Sequence, residues 1–99
     1  MNDTYRTALR IDRAHPALAG HFPGNPVVPG VVLLERVAAA LRAWRGMRVE
    51  KLDAKFLRPL LADEDAVVEL HADAVRVRFA VTRADGAALA RGTLAAKQA

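Results

Sequence analysis

The sequence predicts an α+β domain in which an antiparallel β-sheet wraps around one long central helix. Three observations lead there. Only Val31 to Arg45 is both long and free of internal glycine and proline while carrying apolar residues at helical spacing. Five other stretches alternate or run apolar at strand length. Their order is strand, loop, helix and then four strands, which leaves a single helix to cover a single sheet.

Taken in order, Tyr5, Thr7, Leu9 and Ile11 alternate with Arg6, Ala8, Arg10 and Asp12. That period of two marks a strand with one buried face, ending near Asp12. From Arg13 to Gly30 the chain holds four of its five prolines and three of its six glycines, with neither helical period nor alternation. Connections this long without secondary structure are uncommon in a small domain unless they are functional, so this loop is the first place to look for chemistry. Val31 to Arg45 is rich in helix formers, carries arginine in its last turn and is closed by Gly46. At about 100° per residue, Leu33, Val37, Ala40, Leu41 and Trp44 share one side. Val31, Val32, Ala38, Ala39 and Ala43 fall on the other, so the helix is expected to be buried nearly all round. Met47 to Arg58, Ala66 to Asp73, Val75 to Thr82 and Leu89 to Lys97 read as strands, and Asp85-Gly86 as a hairpin turn. Residues 1–99 are expected to form one domain, of a size at which a core leaves only a modest stability margin and a partner subunit helps.

Hydrophobic residues at 53% and charged residues at 26% exclude the composition of a disordered chain. The absence of cysteine excludes disulfides, thiolate nucleophiles and cysteine-based zinc sites. Met1 to Arg13 has no apolar signal core and no apolar run approaches bilayer length, so a cytoplasmic protein without membrane contact is expected. The net charge is +4, and twelve of the fifteen cations are arginine. Such a balance suits an acidic partner, nucleic acid or an acidic carrier protein; a genomic bias toward arginine and alanine is the more ordinary account of it. Aromatic and basic residues do not interleave as a single-strand stacking platform needs, so nucleic acid is not expected.

Glu35 is the anomaly of the helix. Its neighbours one turn away are Val31, Val32, Ala38 and Ala39, none able to pair with a carboxylate, and Arg42 lies two turns along. Desolvation on an apolar face raises a carboxyl pKa and makes it a proton donor near neutral pH. The ordinary alternative is a glutamate on an exposed or partner-facing stripe, or one bonded to an arginine from elsewhere. His21 lies within Gly20-His21-Phe22-Pro23-Gly24, a backbone constrained by residues with special φ requirements. Lone loop histidines are ordinarily surface residues, and His15 and His71 are read that way. Pro29-Gly30 opens the helix, leaving its first N–H groups free; an amide at Gly30, unobstructed by a Cβ, is suited to hold a carbonyl oxygen as charge develops on it.

The run His21-Phe22-Pro23-Gly24-Asn25-Pro26-Val27-Val28-Pro29-Gly30-Val31-Val32-Leu33-Leu34-Glu35 resembles the active-site signature of the FabZ/FabA-type 3-hydroxyacyl-(acyl carrier protein) dehydratases, which have the hotdog fold. The histidine-to-carboxylate spacing of fourteen residues is the family's, and Lys55-Phe56-Leu57-Arg58-Pro59-Leu60 resembles its next strand. The resemblance implies that His21 removes the α-proton beside the thioester, that Glu35 protonates the departing hydroxyl, and that a trans-2-enoyl thioester results. It implies further that the two groups come from different subunits, that the Gly30 amide meets the thioester carbonyl, and that the Val27 carbonyl orients the imidazole. Phe22 and Pro29 are expected to line the substrate site, and the His21–Phe22 peptide to be cis. No metal or organic cofactor is implied. The expected partners are an acidic acyl carrier protein and a second hotdog subunit, as a homodimer, a higher oligomer or a heteromer.

Glutamate at position 35 matches the FabZ branch, so dehydration without double-bond isomerisation is expected. After Pro59-Leu60 the usual Pro-Gly-Asp is replaced by Ala62-Asp63-Glu64-Asp65. The chain is shorter than housekeeping members, and this compactness resembles the small dehydratases of aryl-polyene and other secondary-metabolite clusters. Competing expectations are a hotdog thioesterase, which would lack the paired histidine and glutamate, and a non-catalytic carrier-binding subunit of a heteromeric dehydratase. Arg36, Arg42, Arg45 and Arg48 are candidate carrier contacts.

Overall fold

The computed structural model describes residues 3–18 and 26–98. Strand β1 (Thr4–Leu9) is followed by a short 3-10 turn at Pro16–Leu18 and by helix α1 (Gly30–Arg45). Four strands come next: β2 (Met47–Phe56), β3 (Ala66–Ala72), β4 (Val77–Arg83) and β5 (Ala88–Gln98). They form one antiparallel sheet in the order β1-β3-β4-β5-β2, so β1 and β2 are its edges. The expected α+β class, with an antiparallel sheet around one long helix, is the one observed.

The register sorts side chains into two faces. Tyr5, Leu70, Phe79, Gly92 and Ala54 form one row across the five strands, and Arg6, Glu69, Ala80, Arg91 and Lys55 form the next. Leu70 and Phe79 are buried, so the first row faces α1 and the second faces away. Val32, Leu33, Val37, Ala40 and Leu41 of α1 join Val68, Val81 and Leu94 of the sheet in one core. At Gly92 strand β2 comes so close that a Cβ would run into the Asp53 carbonyl oxygen and lie 2.6 Å from the Phe79 ring.

Three expectations are corrected. The helix is buried on one side only: Val31 is 62% exposed, and Glu35, Ala39 and Ala43 are exposed with it. A single sheet covers a single side, and Val32, assigned by its period to the far side, belongs to the core. Strand β1 stops at Leu9 rather than near Asp12, because its partner β3 begins opposite it at Ala66; beyond that point the Ile11 carbonyl accepts the Asp63 N–H at 2.8 Å. Val75 is 82% exposed and precedes β4. The Asp73 carboxylate accepts the N–H groups of Val75 and Arg76 at 2.8 and 2.9 Å and turns the chain there.

The turns follow their residue chemistry. Gly46 closes α1 in the left-handed region at φ 64° and donates its N–H to the Arg42 carbonyl. Gly86, at φ 93°, lies in the β4–β5 hairpin, where Asp85 accepts the Ala87 N–H and pairs with Arg83. In the turn that stands in place of Pro-Gly-Asp, Asp63 adopts φ 65° and the Glu64 carboxylate accepts the Leu61 N–H at 2.7 Å. Among the described residues no helix is long and apolar enough to cross a membrane.

Candidate active site

The segment entering α1 is held by a short bridge. Val27 lies opposite Leu61, with Val28 donating its N–H to the Leu60 carbonyl at 2.8 Å and Ala62 donating to Pro26 at 3.0 Å. Both bonds pass through the neighbours of Val27. In an antiparallel pair of this kind the residue's own N–H and C=O turn to the opposite side, so the Val27 carbonyl points away from Leu61.

Pro29 is the N-cap of α1, in an extended conformation at φ −60° and ψ 144°, and no side chain caps the helix start. Proline lacks an N–H, and the first free amide of the helix is that of Gly30. Gly30 opens onto a groove of about 410 Å³ that it lines together with Val28, Leu33, Phe56, Arg58 and Leu60. The Phe56 ring lies over it: a Cβ on residue 30 would sit 2.7 Å from Cζ and 2.9 Å from Cε1. Glycine is therefore what lets an aromatic ring close one wall of the groove against the helix terminus. Phe56 is 50% exposed, and its position was not read from the sequence. The block Lys55 to Leu60 carried the signal, but which helix residue the ring meets depends on how β2 packs against α1.

Glu35 is placed differently. Five residues beyond Gly30, it points about 140° around the helix axis from it, on the stripe shared with exposed Val31 and Ala39. It has no hydrogen-bond or ion-pair partner among the described residues. The apolar face around Glu35 is real, but it is open, so this chain alone does not take the carboxyl out of water as the sequence reading expects. The chain brings Gly30, Pro29 and Val27 to one end of α1 and leaves Glu35 outside that groove. His21 and Phe22, with the peptide between them expected to be cis, lie outside the described residues.

The other two histidines have the ordinary surroundings expected of them. His15 Nδ1 accepts the Ala17 N–H at 3.1 Å in the 3-10 turn, and His71, exposed on β3, bonds Thr4 Oγ1 at 3.0 Å. Of the arginines considered as carrier contacts, Arg45 stacks on Trp44 at 4.1 Å and reaches Asp3 at 3.7 Å.

Known proteins resemble the chain in sequence and in fold. The 3-hydroxyacyl-[acyl-carrier-protein] dehydratase FabZ of Anaeromyxobacter sp. (strain Fw109-5) is 35% identical over 96 residues, covering 83% of this chain and 60% of the relative. That of Cronobacter sakazakii is 32% identical over 99 residues, covering 88% and 64%. The chain thus spans about three fifths of the length of these curated relatives. Among solved structures, the dehydratase heterocomplex ApeI:P from Xenorhabdus doucetiae superposes with a TM-score of 0.81 at 19% identity, covering 97% of this chain and 88% of the other. The (R)-hydratase of A. caviae involved in PHA biosynthesis gives 0.80 at 14% identity, covering 97% and 94%. These two share the hotdog fold with the chain. The family model for ApeI-like proteins, described as ApeI dehydratase, matches residues 1–93, and the chain belongs to that family.

Proposed function

We propose that the protein dehydrates 3-hydroxyacyl thioesters presented by an acyl carrier protein, giving the trans-2-enoyl thioester in fatty acid or polyene synthesis. His21 takes the proton from C2; its electron pair forms the C2=C3 double bond; the C3–O bond breaks, and the hydroxyl leaves as water with the proton of Glu35. Charge that builds on the thioester oxygen is held by the Gly30 N–H at the positive end of α1. The Val27 carbonyl, turned away from its bridge, is the acceptor that sets the imidazole, and Phe22 and Pro29 line the substrate groove. No metal or organic cofactor enters these steps.

The observation carrying this reading is that Gly30 and Glu35 lie on sides of α1 about 140° apart, with the glutamate exposed on a face that no other described element covers. A second subunit set against that face buries Glu35 among Val31, Ala38 and Ala39 and delivers it to the partner's Gly30 groove. Each site is then built from the His21 and Gly30 of one subunit and the Glu35 of the other, and the exposed edge of β2 continues the contact. A homodimer meets this requirement; so does a heteromer with another hotdog chain, the form named for the Xenorhabdus relative. Cytoplasmic carrier-bound substrate fits both.

The test is the mass of a 3-hydroxyacyl carrier incubated with wild type, His21→Ala and Glu35→Gln, across several acyl types. Loss of one water with wild type alone, and a fall of about 10²- to 10⁴-fold in either variant, is expected. An inactive wild type that still binds carrier moves the assignment to a non-catalytic partner subunit.

A further inference from the structure

On the outer face of the sheet three exposed cations cluster without an ion-pair partner among the described residues. Lys55 of β2 lies directly opposite Arg91 of β5, and Arg91 lies opposite Ala80 of β4, one step diagonally from Arg78. Like charges facing each other across an antiparallel pair are destabilising. All three are exposed, and none has an ion-pair partner among the described residues. Arg6, Arg10 and Lys97 are matched, with Glu69 at 3.5 Å, Asp65 at 3.0 Å and Glu50 at 3.2 Å, whereas Arg48 and Lys51, nearer the start of β2 and likewise exposed, show no ion pair among the described residues.

These cations ring a shallow depression of about 680 Å³, floored by Ala80, Gly92 and Thr93, with Asp53 the one carboxylate on its lining. Long basic side chains around a floor of small residues make a basin that accepts acidic side chains. The basin lies on the face of the sheet opposite α1, so subunit pairing through the open side of the helix leaves it free. It also begins one residue from the groove: Lys55 precedes Phe56, whose ring covers Gly30, and Arg58, two residues beyond β2, lines that groove.

We propose that this basin is the docking surface for the acidic carrier protein, with Lys55, Arg78 and Arg91 receiving its carboxylates while the tethered thioester reaches around the end of β2 past Arg58. This rests on the proposed dehydratase reading and places its protein partner away from the helix-end arginines.

The experiment uses the full chain and one 3-hydroxyacyl group in two forms, on the carrier and on free pantetheine. In the variant combining Lys55→Glu, Arg78→Glu and Arg91→Glu, KM for the carrier form is expected to rise about tenfold and to lose most of its salt dependence, with turnover of the pantetheine form unchanged. An unchanged KM for the carrier form overturns the proposal, and so does an equal loss on both forms. Carrier binding by calorimetry reads the same question without turnover: weakened binding in the variant supports the surface even where wild type proves inactive, which would defeat only the dehydratase reading. Full carrier affinity together with lost retention on single-stranded RNA overturns the proposal.

Discussion

Asp63 does two things with one residue. Its backbone sits at φ 65°, and its carboxylate accepts the Arg13 Nε at 3.2 Å and the Arg13 N–H at 3.1 Å, tying the turn before β3 to the start of the long loop. The Arg13 guanidinium first, and the Arg13 N–H second, hold its carboxyl below the usual range. Asp85 is lowered chiefly by the Arg83 side chain and Asp73 by the Arg76 N–H. A carboxyl whose pKa is lower folded than unfolded stabilises fully above its unfolded value, about 3.9, and that contribution drains away as pH falls through the lower folded value. The expected outcome is an unfolding temperature that drops more steeply below about pH 4 in wild type than in Asp63→Asn. Asparagine is the informative substitution because it tolerates the left-handed backbone and removes only the charge. Thermal melts between pH 2 and 6 check it; equal slopes would mean that the Arg13 contact stabilises nothing.

How closely the elements approach one another is set by two glycines, and the two approaches differ in what stands in the way. At Gly92 the obstacles are the Asp53 carbonyl oxygen and the buried Phe79 ring; at Gly30 it is the far end of the half-exposed Phe56 ring. Backbone and a packed core cannot yield, whereas an exposed ring swings aside. Gly92→Ala is therefore expected to cost about 3 kcal/mol and Gly30→Ala about 1 kcal/mol, as read by denaturant unfolding. The reverse order would show that β2 slides freely over β5. Neither contact is legible in the sequence, since each depends on where one element lies across another. What is legible is periodic or local: Val77, Phe79 and Val81 alternate onto the core face, Gly46 and Asp85-Gly86 terminate their elements, and His21 and Glu35 keep a distinctive spacing. The same alternation wrongly extends β4 back to Val75, because the period cannot register that Asp73 bends the chain. Counting apolar residues around α1 likewise predicts burial on all sides, when one sheet covers one side and Val31 remains open.

For the molecule as a whole, that open side is the decisive surface. Val31, Glu35 and Ala39 face outward on α1, Phe56 is half exposed, and β2 runs as a ten-residue edge strand. Edges and apolar stripes of this kind invite pairing. If the pairing is between two copies, a two-fold arrangement places the same patch on both and creates two equivalent sites, each taking Glu35 from one subunit and His21 with Gly30 from the other. This geometry has a consequence that no single-subunit site shares. With His21 the proposed base and Glu35 the proposed acid, a His21→Ala homodimer lacks the base in both sites and a Glu35→Gln homodimer lacks the acid, so both are expected to be inactive. In the mixed dimer the Glu35→Gln chain supplies an intact His21 and the His21→Ala chain an intact Glu35; the two meet in one site, and both defects fall in the other. Random exchange puts half of the dimers in this mixed state with one of two sites working, so unfolding and refolding an equimolar mixture is expected to recover about a quarter of wild-type activity. Measured by enoyl product formation against each variant refolded alone, recovery near that level requires a shared site, and no recovery despite demonstrated mixed dimers places His21 and Glu35 of the same chain together.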